Sequence, residues 1–109
     1  SLFENLVIAE LVKFRFNQGK GINLNFYRDS MGNETDVIYN IAQEILPIEI
    51  KAGETVAPDY FKGLLALQKV IGSYPYGRSI VYNGDHEETR WDIIITGVSG
   101  LLQLLRRIE

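Results

Sequence analysis

The sequence predicts an α/β domain in which a mixed sheet is flanked by helices. Two patterns predict it. Apolar residues at helical spacing mark the start, middle and end of the chain, and between them lie short runs rich in Ile, Val and Tyr, bounded by Gly, Pro, Asn and Asp. The resulting order is α-β-β-β-α-β-β-α, which layers helices on a sheet. A chain of 109 residues has the size of one domain, so residues 1–109 are expected to form a single unit.

The elements follow in order. Residues 2–16, "LFENLVIAELVKFRF", are apolar around most of a helical circumference, which predicts a buried helix; Gly19 and Gly21 follow where it should stop. "NLNFYR" and "ETDVIYN" flank the turn formers of "DSMGN" and read as a hairpin. Residues 44–52 give the next strand. "APDYFKGLLALQKVIG" has Pro58 near its start and Phe61, Leu64, Leu65, Leu67 and Val70 at helical spacing, so a helix is expected over residues 57–72. "RSIVYNG" and "DIIIT" are strands. "SGLLQLLRRI" closes the chain as a helix, with Arg106 and Arg107 suited to the negative end of its dipole.

Composition excludes several classes. Hydrophobic residues make up 46% and charged residues 23%, which argues for an ordinary globular chain over disorder or a fibrous repeat. The chain has no cysteine, so disulfide scaffolds and thiolate metal sites are excluded. No apolar run approaches the ~20 residues that span a bilayer, and the N-terminus lacks the layout of a secretion signal. No membrane partner is expected, and the cytoplasm is the expected compartment. A net charge of −3 argues against coating nucleic acid by bulk electrostatics while leaving room for a local basic patch. The helix pattern starts at Ser1 without a leader, as expected of a domain cut from a longer chain.

The strand "LPIEIKAGETV" carries Glu49 and Lys51 inside an apolar run. Alternation places both on one face, opposite Ile48, Ile50 and Ala52. If Ala42 and Gln43 form the turn before it, Asp36 lies directly across from Glu49. Like charges so placed are destabilising unless a cation sits between them, either Lys51 or a metal ion. A third carboxylate is Glu4, whose helical neighbours Val7, Ile8 and Leu11 are all apolar, so it is expected to face packed structure. Glu10, with Lys13 at i+3, reads as solvated. Three carboxylates and a lysine suit a hard divalent cation such as Mg²⁺, and phosphodiester hydrolysis is the reaction such a set performs most naturally.

This pattern of a helix with Glu, then Asp, then Glu-x-Lys on a strand, then a helix, resembles the PD-(D/E)xK restriction-endonuclease-like superfamily, which includes Holliday junction resolvases. More closely, "LFENLVIAELV", "YRDSMGNETDVI", "ILPIEIKAGET", "FKGLLALQK" and "IVYNGD" are similar to the C-terminal domain of unknown function that follows the ATPase module in prokaryotic AAA+ ATPases. The resemblance covers residues 2–85. It implies a restriction-endonuclease-like αβββαβ core with an extra strand and a C-terminal helix. It also implies Glu4 as the first-helix acid, Asp36 as the metal aspartate, Glu49 and Lys51 as the Glu-x-Lys pair, and Gln68 beside the site. The motif's proline is replaced by Thr35. The implied activity is a nuclease using Mg²⁺ or Mn²⁺ on DNA or RNA, with an ATPase module on the same chain or a related one. The alternative is a non-catalytic accessory domain that binds a partner, nucleic acid or that ATPase module.

Other features read more plainly. "GSYPYGRS" differs by one residue from a phosphate-binding loop but runs from helix into strand, the wrong context. His86, in "NGDHEETR", reads as part of a solvated turn. Lys13, Arg15, Lys20, Arg106 and Arg107 are either a basic rim or dispersed surface charge.

Overall fold

The first helix starts where its own sequence closes a capping box. In a computed structural model of the chain, which describes residues 1–21, 24–28, 34–56 and 74–109, helix α1 spans Leu2–Asn17. The Ser1 hydroxyl accepts from Glu4 N at 3.2 Å, and Ser1 N donates back to Glu4 Oε1 at 3.1 Å. At the other end Gly19 takes φ 72°, Gly19 N donates to Phe16 O and Lys20 N donates to Arg15 O, each at 3.0 Å. These are the two bonds of a Schellman motif, and they satisfy carbonyls the helix leaves open.

The strands are β1 (Asn25–Arg28), β2 (Glu34–Ile41), β3 (Glu44–Lys51), β4 (Arg78–Tyr82), β5 (Glu88–Arg90) and β6 (Ile93–Thr96), and helix α2 spans Val98–Ile108. They form a mixed six-stranded sheet in the order β1-β2-β3-β4-β6-β5. The β1-β2, β2-β3 and β5-β6 pairs are antiparallel; β3-β4 and β4-β6 are parallel. Ala42 and Gln43 are the two-residue turn between β2 and β3, which sets Ile41 opposite Glu44 and Asp36 opposite Glu49. That is the register expected from the sequence. Ala42 adopts φ 56°, which glycine fills at least cost in such hairpins.

Two expectations differ from the fold. Strand β5 lies within the stretch read as a solvated turn; "ETR" is polar and short, as suits an edge strand, so it carries no apolar alternation to detect. Helix α1 is buried on one face only. Val7 and Leu11 are fully buried, but Leu2 is 90%, Leu6 51% and Phe16 71% exposed. The helix expected over residues 57–72 and the "DSMGN" loop lie outside the described residues.

The main core sits between the sheet and both described helices. Val37, Tyr39, Leu46, Ile48, Ile50 and Val81 of the sheet meet Val7 and Leu11 of α1 and Leu101, Leu104 and Leu105 of α2. A polar lock closes one end. Tyr39 OH donates to Glu109 Oε2 at 2.7 Å, Lys20 Nζ pairs with Glu109 Oε1 at 2.6 Å, and the Arg15 guanidinium lies 5.0 Å over the Tyr39 ring. On the other face, Ile80, Tyr82, Ile93 and Ile95 form a smaller apolar cluster with Val56. Among the described residues no helix is long and apolar enough to cross a membrane.

Two substitutions check this backbone. Ala42→Gly removes a left-handed strain of ~1–2 kcal/mol and returns ~0.5–1 kcal/mol of chain entropy, so it should stabilise by about 0.5–1 kcal/mol in urea denaturation. Gly97→Ala should do the reverse. A Cβ there would overlap the Gly84 carbonyl oxygen, a backbone atom, and the forced shift should cost about 1–3 kcal/mol in the same measurement.

Candidate functional site

The sheet face turned away from α1 and α2 carries three of the residues singled out in the sequence, Asp36, Glu49 and Lys51. Along it, Tyr27 pairs with Asp36, Asp36 with Glu49, Glu49 with Ile80, and Ile80 with Ile95, so these side chains form one row across five strands. Lys51 lies two residues beyond Glu49 on the same face, beside Tyr82. One step to the other side of the row, Arg78 pairs with Ile93. Tyr27, Asp36, Glu49, Arg78, Ile80 and Ile93 line a groove of about 340 Å³. Asp36 is exposed, while Glu49 and Lys51 are partly buried.

Local sequence explains this set. β2 and β3 turn Val37, Tyr39, Ile41, Leu46, Ile48 and Ile50 toward the helices and Asp36, Glu49 and Lys51, among Ile38, Ile45 and Pro47, to the other face, and the tight turn locks the two alternations in phase. The Asp36–Glu49 pair is therefore a consequence of burying Val37, Tyr39, Leu46 and Ile48 together.

Glu4 does not join this group. Its side chain is fully buried, as expected, and Thr35 Oγ1 donates to its Oε2. Thr35 pairs with Ile50 and points to the helix face, whereas Asp36, the next residue, points to the groove. The structure thus brings Asp36, Glu49 and Lys51 together and leaves Glu4 behind the sheet. The signal that places it was present in the sequence: Ser1-x-x-Glu4 is a capping box. Gln68 lies outside the described residues.

Burial alone pushes the Glu4 carboxyl up. Hydrogen bonds from Thr35 and Ser1 outweigh burial and hold the carboxyl below its ordinary value of 4.5. On the opposite side of the lock, burial first and then the Glu109 carboxylate push the Tyr39 phenol well above the ordinary range, so it remains a donor.

The donor set in the groove is hard oxygen from two facing carboxylates. It fits Mg²⁺ or Mn²⁺, which take one or two protein carboxylates and keep waters for the rest of their shell. Among the described residues no group of three or more His, Cys, Asp or Glu side chains is placed to hold a metal. His86 lies outside this set, its side chain 73% exposed beside Glu88. Arg78 and Tyr27 are groove residues that sequence reasoning missed. Their membership depends on the β3-β4 and β1-β2 pairings, and the first of these joins strands far apart in sequence.

Glu4 is a structural residue by this geometry, and substitution should show it. Glu4→Gln keeps the shape and lowers stability at pH 7 by about 1–2 kcal/mol, the difference between charged and neutral hydrogen bonds. Because the folded carboxyl is held below 4.5, its contribution is complete above that pH and is lost as pH falls through the folded value. The gap between wild type and Glu4→Gln in urea melts should therefore shrink in acid.

The comparisons with known proteins bear on family. No curated protein and no solved structure matches the chain. A family model described as a domain of unknown function, DUF4143, matches residues 1–100. The chain belongs to the DUF4143 family.

Proposed function

We propose that the groove is a divalent-cation site for phosphodiester hydrolysis, making this a nuclease-like domain of the PD-(D/E)xK type. The observation that carries the reading is the direct pairing of Asp36 with Glu49, with Lys51 on the same face. Asp36 and Glu49 would hold Mg²⁺ or Mn²⁺, and a bound ion would supply Lewis acidity toward phosphate oxygens and a more acidic water. Lys51 holds a positive charge beside the pair, where it can orient a water or stabilise charge developing on a phosphate. Glu4, through Thr35, fixes the strand from which Asp36 projects.

A second reading rests on a different surface. Leu2, Leu6 and Phe16 fall on one stripe of α1 at 3.6 residues per turn and are all exposed. That stripe favours a non-catalytic accessory domain, one that docks an ATPase module on the same chain or a related one.

Melting with and without metal separates the two. Millimolar Mg²⁺ or Mn²⁺ should raise the melting temperature, by the equivalent of about 2.7 kcal/mol at ~100 times the dissociation constant. Asp36→Asn should abolish that rise, whereas Glu4→Gln should keep it. Lys51→Ala should keep the rise and lose cleavage of single-stranded, duplex or branched DNA and RNA. A melting temperature indifferent to both ions, with no cleavage of any substrate, leaves the accessory reading.

A further inference from the structure

Arg78 lines the groove from a backbone tied to Asp92. Gly77, at φ 78°, turns the chain so closely against Asp92 that a Cβ there would overlap the Asp92 carbonyl oxygen, and Arg78 N donates to that same oxygen at 2.7 Å. From this anchored backbone the side chain enters the groove shared with Asp36 and Glu49. Its NH1 is buried and has no hydrogen-bond partner among the described residues. A guanidinium carries five donors in a fixed fork, and a buried N–H left unsatisfied is costly. Such a donor matches a phosphate, which a guanidinium can bind through two parallel bonds.

Tyr27 indicates what bears that phosphate. Its ring lines the same groove, is 64% exposed, and stands next to Asp36 across the β1-β2 pair. An exposed ring and a cation along one groove are the parts of a single-strand binding path, the ring for a base and the cation for the backbone. The overall charge of −3 makes a bulk electrostatic explanation poor, so binding has to be local.

We infer that Arg78 and Tyr27 form the substrate subsite of this groove, the guanidinium taking a phosphodiester of single-stranded nucleic acid and the ring stacking on an adjacent base. This deepens the hydrolytic reading and rests on it for its role, but not for its test.

The test is fluorescence anisotropy of a short labelled oligothymidylate in EDTA, on wild type and on Asp36→Asn, which removes a negative charge from the groove. Arg78→Gln should weaken binding about tenfold and reduce the salt slope by roughly 0.7, the value for one phosphate contact on a single strand. Tyr27→Ala should weaken it about tenfold with the slope unchanged, because stacking releases no counterion. Arg106→Gln removes the same charge from the exposed surface of α2 and should change neither. Arg78→Lys should recover part of the loss, and circular dichroism melts confirm that each variant folds.

The inference is overturned if neither wild type nor Asp36→Asn binds the oligonucleotide, or if Arg78→Gln matches Arg106→Gln. Binding through Arg78 and Tyr27 without any metal-induced stabilisation sinks the hydrolytic reading and keeps the subsite. A metal response with binding indifferent to Arg78 does the opposite.

Discussion

The register between β2 and β3 is the constraint on which the rest of this domain depends. Side chains in a strand alternate with a period of two, so a slip of β3 by one residue against β2 would turn Leu46 and Ile48 out of the core and Glu49 into it. A two-residue turn at Ala42 and Gln43 holds the register, although Ala42 adopts the left-handed conformation to do so. Burial of Leu46 and Ile48 is worth roughly 1.5–3 kcal/mol each, which outweighs a left-handed penalty of ~1–2 kcal/mol at one residue. The turn yields to the core, and the core sets the chemistry of the far face.

Part of this was legible in the sequence. The β2-β3 register followed from counting outward from Ala42 and Gln43, because a short antiparallel hairpin is a local structure whose pairing is fixed by its turn. Burial of Glu4 followed from its apolar neighbours, and solvation of Glu10 is matched by its exposed contact with Lys13 at 3.5 Å. What escaped were features of other kinds. β5 is a polar edge strand of three residues, without alternation to read. The one-sided burial of α1 depends on which face meets the sheet, and an all-round apolar pattern cannot specify that. Glu4 was assigned to the carboxylate group by its burial, yet a buried carboxylate needs only some partner, and its own capping box and Thr35 supply one.

On β2 the two sheet faces diverge at Thr35–Asp36, Thr35 turning to the core side and Asp36 to the groove. Thr35 is fixed from behind by Glu4, which is itself fixed by the start of α1. Tyr39, four residues along the same strand, is fixed from behind by Glu109 at the end of α2 and by Arg15. Both anchors act on β2, one near each end.

Asp36 projects from this anchored strand and Glu49 from its register partner β3, a restraint that would matter if the pair took an ion as small as Mg²⁺. That ion demands near-ideal geometry at about 2.0–2.1 Å and tolerates little adjustment from its ligands. On the proposed reading, rigidity behind the sheet would favour one ion size in front of it: β2, pinned at Thr35 and Tyr39, presents Asp36, and its register with β3 sets Glu49 opposite. Arg78, set by Gly77 and Asp92 on the opposite flank, faces them from a position equally fixed. The contacts that hold the groove's strands lie outside it, and Glu4 acts on the strand of Asp36 from behind the sheet, through Thr35.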